Sequence, residues 1–397
     1  MNQTADRPKI LIICDYYLPG YEAGGPIRTL VNMVERFGDK FDFRIITRDH
    51  DGKKNRTPYT SVKINEWNKV GISEVFYLSK NNIRPSFLRK LVLGIEPEVI
   101  YVSSFFSPLT VYTLILRKIG KIPYLPLILV PEGELSAGSL SLKHCKKSLY
   151  MRVAKLLNLY QDVIWKAAAE AERREIELFA GKADKLFIAS PMTPKIIFPE
   201  YDKITKPEKR AGRLRIVFLS RIMRTKNLHW LLNQLSKVKG ELELNIYGPI
   251  ENSEYWQECS RIISTLPANV AVFTGGTIPH HKVPLTIAKY DFFILPTIGE
   301  NFGYVFIEAL AAGCPLIISD RTPWRDLAKK GIGWDLPLES PESWIEILKK
   351  CINMSQHEYD EITQTARQFA IEWLQNPSLD ESNIRVLEYA LNSGSGK

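Results

Sequence analysis

Cysteine is scarce: the 397-residue chain has five, Cys14, Cys145, Cys259, Cys314 and Cys351, an odd and scattered set with no Cys-x-x-Cys pair. That speaks against a disulfide framework and against structural zinc. Long hydrophobic runs are also missing. The longest uninterrupted one, 122–131, is about half of what a membrane-spanning helix needs, and Arg117, Lys118 and Lys121 break the stretch before it. No signal-peptide pattern opens the chain, so the cytosol is the expected compartment. No Gly-x-Gly-x-x-Gly opens the first predicted helix and no acidic ribose partner follows it, which excludes the usual dinucleotide fingerprint. With no zinc spacing, no RNP-like aromatic motif and no basic base-reading helix, nucleic acid is not an expected partner.

What is present is the composition of a soluble globular protein, 45% hydrophobic and 24% charged. The length suggests two domains, each able to bury its own core. The net charge of +9 is uneven: residues 1–200 hold 30 Lys+Arg against 21 Asp+Glu, whereas residues 201–397 hold 23 of each. A basic first half suits an anionic partner such as an acidic bilayer face or a polyprenyl phosphate head group. A solvated basic surface with no partner is the competing reading.

Strand-like and helical runs alternate along the chain. Strands are expected at 10–14, 43–47, 99–102 and 127–130, with helices at 27–37 and 110–119 among them. The series restarts with strands at 215–219, 242–247, 270–273, 292–296 and 315–319, separated by helices at 228–238, 255–266 and 303–312. Such alternation predicts the α/β class: two doubly wound parallel sheets covered by helices on both faces. A charged, proline-bearing stretch, 199–213, reads as the linker, and the expected domains are 1–195 and 196–375. Helices follow at 343–353, 358–374 and 379–391. The last element, about 376–397, is expected to pack back on the first domain, and only 393–397 (SGSGK) reads as disordered.

Three strand-to-helix turns carry chemistry, and ligands of open α/β sheets bind at the carboxyl ends of strands. The first ends in Gly24 and Gly25 with Pro26 at the helix start, either a phosphate-approachable turn or a plain one. The second places Arg221, Arg224 and Lys226 before a helix beginning near Asn227. Cations there oppose the helix macrodipole, so an anion is expected among them, and a diphosphate matches a guanidinium and an ammonium on one loop. The third is the run 299–318, GENFGYVFIEALAAGCPLII, with Asn301 as a candidate N-cap and Gly313 as a candidate C-cap. Glu308 is the only charge between Asn301 and Ser319, and a carboxylate on so apolar an element needs a hydrogen-bond partner such as a ligand hydroxyl pair. Glu300 at the helix mouth suits sugar hydroxyls better than phosphate. The alternatives are that Glu300 complements the macrodipole and that Glu308 lies on a solvated stripe.

Taken together, Gly24-Gly25, SRIMRTKN at 220–227 and the Glu-x7-Glu pair Glu300 and Glu308 followed by AGCP resemble a GT-B glycosyltransferase of family 4, the retaining, nucleotide-sugar-dependent class. The likeness runs in order along the whole chain and is strongest to a bacterial branch serving capsule, O-antigen or exopolysaccharide assembly. It implies two Rossmann-like domains facing a central cleft. Arg221 and Lys226 would bind the donor diphosphate, backed by Gly25, and Glu308 would bind the ribose. Glu300, with the backbone of Asn301, Phe302 and Gly303, would orient the sugar. Tyr304 and Val305 would offer amides to phosphate, and the base would lie near Gly275 to Ile278. The implied catalytic set is Glu300, Arg221 and Lys226. No metal or other cofactor is implied, the donor is a UDP- or GDP-sugar, and the acceptor is lipid-linked or a saccharide.

One departure stands out. Where many members carry a His-Asp pair after the fourth strand, this chain has Pro131-Glu132-Gly133-Glu134. Glu132, with Ser104, is the acceptor-side candidate, although a carboxylate in a glycine-bearing turn is commonly just an exposed turn residue. The stretch after it, with Lys143, His144, Lys146, Lys147 and Arg152, is expected either to meet a lipid phosphate or the bilayer peripherally, or to be a solvated helix face. Two rival functions remain open: a metal-dependent transferase using Asp49-His50-Asp51, and a non-catalytic nucleotide-sugar sensor or assembly protein of the same fold.

Overall fold

A computed structural model describes residues 7–22, 24–52, 56–141, 144–182, 184–194, 206–279 and 282–394. Lys143, residues 199–205 of the expected linker and 395–397 of the tail lie outside the described residues. The chain divides into two units, Met1–Lys195 with Asn376–Lys397, and Ile196–Gln375.

Among the described residues the first unit is built on eight strands, β1 (Lys9–Ile13), β2 (Asp42–Arg48), β3 (Trp67–Val70), β4 (Ser73–Leu78), β5 (Val99–Ser103), β6 (Leu127–Val130), β7 (Val163–Ala167) and β8 (Leu186–Ile188). They lie in the order β3-β4-β2-β1-β5-β6-β7-β8. Leu127–Val130 is buried at every position, as expected of a parallel strand covered on both faces. The helix Gly25–Phe37 shows the matching logic: Pro26 sits in its first turn, and Ile27, Leu30, Met33, Val34 and Phe37 are buried along one stripe. Each such side chain contributes about 1.5–3 kcal/mol of transfer free energy before conformational entropy is subtracted. The last helix, Ser378–Gly394, adds Val386, Leu387 and Ala390 to the core formed by β1, β2 and β5. Arg36 pairs with Asp380 at 2.5 Å to hold it there.

Among its described residues the second unit has six strands, β9 (Arg213–Leu219), β10 (Glu241–Tyr247), β11 (Val270–Gly276), β12 (Phe292–Leu295), β13 (Leu316–Ser319) and β14 (Gly333–Leu336), ordered β11-β10-β9-β12-β13-β14 and parallel throughout. The α/β class with two parallel sheets is therefore as expected, with one correction: β3 runs antiparallel to β4 at the edge of the first sheet. Gly71, at φ 58, makes the tight turn that joins them.

Five strands went unseen for identifiable reasons. β3 and β4 form that hairpin, outside the βαβ alternation. Val163–Ala167 contains Lys166 yet is buried throughout, and a lysine in a strand reads as exposure. Leu186–Ile188 has only three residues, too few for a period. Gly333–Leu336 begins with a glycine that reads as a breaker, but a Cβ there would lie 2.0 Å from the Leu316 carbonyl oxygen, so the close pairing of β13 and β14 requires it. Among the described residues no helix is long and apolar enough to cross a membrane.

Candidate functional site

In the second unit the chain leaves β9 for β10 on one side and later returns as β12 on the other, so the order reverses between β9 and β12. The crevice beyond the carboxyl ends of such a pair is where open α/β sheets bind ligands. The two loops that open there are 220–227 and 296–303, the second and third of the chemistry-bearing turns.

Tertiary hydrogen bonds bind these loops together. The amide of Ile298 donates to the Thr225 carbonyl at 2.8 Å. The Thr297 hydroxyl lies 3.0 Å from that carbonyl and 2.8 Å from the carbonyl of Gly299. Ser319 donates to the Thr297 carbonyl at 2.5 Å, and the amide of Glu300 donates to the Arg321 carbonyl at 3.2 Å. In this frame the Lys226 ammonium meets the Glu300 carboxylate at 2.5 Å, with side chains only 10% and 20% exposed. A shielded pair of this kind is worth more than a surface one, because less water screens it.

The pairing corrects one inference from sequence. Cations before the helix Leu228–Leu235 do not require an external anion, because carboxylates of the same unit meet them: Arg221 with Glu251 at 2.9 Å, Arg224 with Glu258 at 2.5 Å, and Lys226 with Glu300. Glu251 and Glu258 carried no recognisable signal, since their partners lie about thirty residues away and are set by strand order. Arg221 is 45% exposed and remains accessible.

The third turn also differs from expectation at its cap. The helix is Tyr304–Ala311 and its N-cap is Gly303, at φ 80, in place of Asn301. A Cβ on Gly303 would stand 2.4 Å from the Phe306 ring and 3.1 Å from Cγ of Glu300, so glycine both permits the left-handed cap and leaves room for the carboxylate. At the other end Gly313, at φ 66, follows Ala312 and ends the helix in the left-handed conformation. Within Tyr304–Ala311 only Val305 and Glu308 are not buried. Three residues apart, they share the one open stripe of the helix. Phe302 is buried beside Trp324 and Trp373, at ring distances of 5.8 and 5.6 Å, and Trp324 Nε1 donates to its carbonyl at 2.6 Å. These tryptophans, absent from the sequence-based set, hold the backbone of 301–303.

At the edge of the sheet Gly275 lies against Tyr247, whose ring a Cβ would meet at 1.9 Å, and the Tyr247 and Tyr290 hydroxyls lie 2.8 Å apart. Ile278 packs half-buried on the core.

The remaining predicted residues belong to the first unit, where the strand order reverses between β1 and β5. Gly24, at φ 68, is the N-cap of Gly25–Phe37, and a Cβ there would meet nothing within 4 Å. The loop before it is shaped by Asp51, whose carboxylate accepts from the amides of Tyr21 at 2.8 Å and Glu22 at 3.1 Å. Asp49, His50 and Asp51 are all buried, and the Asp51 carboxylate is taken up by backbone amides of the loop before Gly24.

After β5 and β6 the backbone enters the left-handed region at two non-glycine residues, Ser104 (φ 88) and Glu132 (φ 56). Such strain persists only where the surroundings impose it. Glu134 imposes it on the first, accepting from the Ser104 hydroxyl at 2.8 Å and from the amides of Phe105 at 2.6 Å and Phe106 at 2.9 Å. Glu172 imposes it on the second, accepting from the amides of Gly133 at 2.6 Å and Ala168 at 2.7 Å. Glu132 is not an exposed turn residue. It is half-buried and accepts from Ser103 at 3.1 Å. Burial, reinforced by the neighbouring Glu172 charge, pushes its carboxyl up to about 7 against the pull of Lys166 and Ser103. Lys166, buried in β7, is pushed down to about 8 by burial despite the attraction of Glu132 and Glu172. A carboxyl that titrates near neutrality at a strand's carboxyl end is suited to accepting or donating a proton.

The sign of the pH dependence follows. Glu132 is more basic folded than unfolded, so the stability it contributes is full at low pH and declines from about pH 4.5 to 7. Lys166 is less basic folded, so its contribution is lost as the pH falls from about 10.5 to 8. Glu132→Gln is expected to flatten the decline between pH 4.5 and 7, by on the order of 2–3 kcal/mol at most. Chemical denaturation across that range, variant against native, checks it, and equal slopes would refute it.

Residues 201–369 match the family described as Glycosyl transferases group 1. The chain is 26% identical over 178 residues to the O-antigen biosynthesis glycosyltransferase WbnH of Escherichia coli, covering 44% of this chain and 46% of that protein. It thus spans about half the length of this curated relative. An uncharacterized 41.2 kDa protein of the cps region of Klebsiella pneumoniae is 20% identical over 303 residues, 73% of this chain and 78% of that one. Among solved structures, HepE of Anabaena in complex with UDP and glucose superposes with a TM-score of 0.69 at 16% identity, covering 96% of this chain and 99% of the other. At that identity the likeness concerns the fold, which is that of GT-B proteins.

Proposed function

We propose, from the premise that residues 201–369 are a glycosyl transferases group 1 domain, that the protein is a retaining glycosyltransferase. It moves a hexose-type sugar from a UDP- or GDP-sugar to a lipid-linked or saccharide acceptor in capsule, O-antigen or exopolysaccharide assembly. The observation that carries this reading is the shielded Lys226–Glu300 pair at the strand-order reversal of the second unit, beside the start of Tyr304–Ala311. It sets a cation suited to a diphosphate next to a carboxylate suited to sugar hydroxyls. Supporting it are the description of WbnH as an O-antigen glycosyltransferase and the UDP and glucose held by HepE.

In this reading Arg221 and Lys226 meet the diphosphate, with the amides of Tyr304 and Val305. Glu300 and the backbone of 301–303 orient the sugar, Glu308 takes the ribose, and 275–278 take the base. As the glycosidic C–O bond breaks, positive charge gathers on the sugar ring and negative charge on the departing diphosphate. In this reading Lys226 and the helix amides stabilise the second charge from fixed positions. Glu300, held to an ammonium at 2.5 Å, is a weakened nucleophile. In the retaining mechanism that the resemblance to the GT-B family implies, the acceptor adds on the face the diphosphate leaves, and the leaving phosphate assists with the acceptor proton. This reading assigns no metal to the site. Glu132, with its near-neutral carboxyl, and Ser104 serve the acceptor side. The protein works in the cytoplasm, in peripheral contact with the membrane that carries a lipid-linked acceptor.

A panel of UDP- and GDP-sugars tests this reading. One donor class is expected to raise the melting temperature and to release nucleoside diphosphate, equally in excess EDTA, and Glu308→Gln is expected to weaken that donor by about tenfold, the loss of one or two ribose hydrogen bonds. Stabilisation without turnover on any acceptor would identify a non-catalytic sensor instead, and a divalent-ion requirement would overturn the metal-free assignment.

A further inference from the structure

The helix His144–Leu156 of the first unit has two apolar faces, and only one is packed. On the inner face Ala154 is buried, and Tyr150 stands against Phe105 and Phe106 at ring distances of 6.0 and 5.8 Å, its hydroxyl 2.6 Å from that of Tyr160. On the outer face Leu149, Val153 and Leu156 are 64%, 45% and 83% exposed, and Leu157 just beyond is 56% exposed. With exposed Cys145 these residues follow helical spacing, one stripe along the outside of the helix. Isolated exposed leucines are ordinary on a soluble surface, but a contiguous stripe marks a docking face.

The charges identify the occupant. At roughly 100° per residue, Arg152 and Lys146 flank the stripe on its two sides, both are exposed, and the helix sequence HCKKSLYMRVAKL contains no acidic residue. A second copy of the chain docked here would oppose cation to cation. An anionic bilayer would accept the leucines at the level of its head groups while the flanking basic side chains reach phosphate.

We infer that the outer face of His144–Leu156 is a membrane-docking surface, inserting Leu149, Val153 and Leu156 among anionic lipids with Lys146 and Arg152 on the phosphates. This specifies the peripheral contact in the proposed function, and its biological sense rests on that reading. Vesicle binding, however, is measured without turnover.

Co-flotation of the full chain with phosphatidylglycerol-containing vesicles, and with pure phosphatidylcholine as comparison, is the test. The native protein is expected to bind the anionic vesicles and not the neutral ones. The triple variant Leu149→Gln, Val153→Gln, Leu156→Gln, altered only at exposed positions, should melt as the native protein does and bind about tenfold or more weakly. Lys146→Gln with Arg152→Gln should lose the preference for anionic lipid and the salt dependence. Native-like binding by the triple variant, or no vesicle binding by the native protein, overturns the proposal. So does concentration-dependent self-association that the triple variant abolishes, since that outcome assigns the face to a second copy. If vesicle binding fails while donor turnover persists, the surface is wrong and the transferase reading stands; the reverse pair of results separates them the other way.

Discussion

Glu300→Gln is expected to lower kcat for sugar transfer by about 10²–10³-fold, the range found when one preorganised polar contact to a transition state is removed, with little change in donor KM. The amide keeps the shape of the side chain but cannot hold Lys226 as an anion does or accept as strongly from sugar hydroxyls. Lys226→Met is expected to cost a similar factor and also to raise donor KM, because the diphosphate carries its charge in the ground state as well as in the transition state. The two residues touch at 2.5 Å, so the double variant should lose much less than the product of the single losses. Steady-state nucleotide release on all four proteins reads this directly. A native-like kcat for Glu300→Gln, or strictly multiplicative losses, would remove the pair from the proposed mechanism.

The largest expected loss of stability comes from Gly248→Ala. Gly248 turns the chain after β10 at φ 132, and a Cβ there would sit 1.9 Å from the Ser220 carbonyl oxygen, a backbone atom that cannot rotate away. The same turn is tied on both sides: Ser220 N donates to Tyr247 O at 3.0 Å, and Gly248 N donates to Gly276 O at 2.8 Å. Backbone strain and overpacking together are expected to cost about 3 kcal/mol or more, a fall of roughly 6–12 °C for a unit of this size. Gly276→Ala is the matched control. It also has positive φ, at 65, but a Cβ would meet nothing within 4 Å, so only the conformational penalty of about 1–2 kcal/mol applies. Equal melting temperatures for the two variants would mean that the Ser220 contact does not constrain the loop. Because Ser220 directly precedes Arg221, loss of donor affinity is expected to accompany the stability loss in the first variant only.

Much of the second unit is legible in the amino-acid order because its signals are local. The apolar runs in β9, β12 and β13 have no other reading, and the glycines that bound Tyr304–Ala311 mark its ends to within one residue. The N-cap was misplaced because Asn301 has the better capping side chain, whereas the crowding of Phe306 and Glu300 that demands Gly303 exists only in three dimensions. Lys166 and Glu132 were obscured for a related reason. A charged residue in a strand or a glycine-bearing turn looks solvated until the neighbouring strands enclose it, and only then does burial move both groups toward neutrality.

The chain's local pattern alone is enough to establish the α/β class, most of the strands and the eight-residue interval between Glu300 and Glu308, since hydrophobic period and turn chemistry act over a few neighbours. It also exposes the basic loop at 221–226. Which acid meets which base is decided elsewhere. Lys226 and Glu300 are 74 residues apart, and they meet because β12 lies beside β9 and hydrogen bonds from Thr297 and Ile298 draw their two loops together. Ion pairing falls off over a few ångströms, so it follows spatial adjacency, and that adjacency is created by strand order.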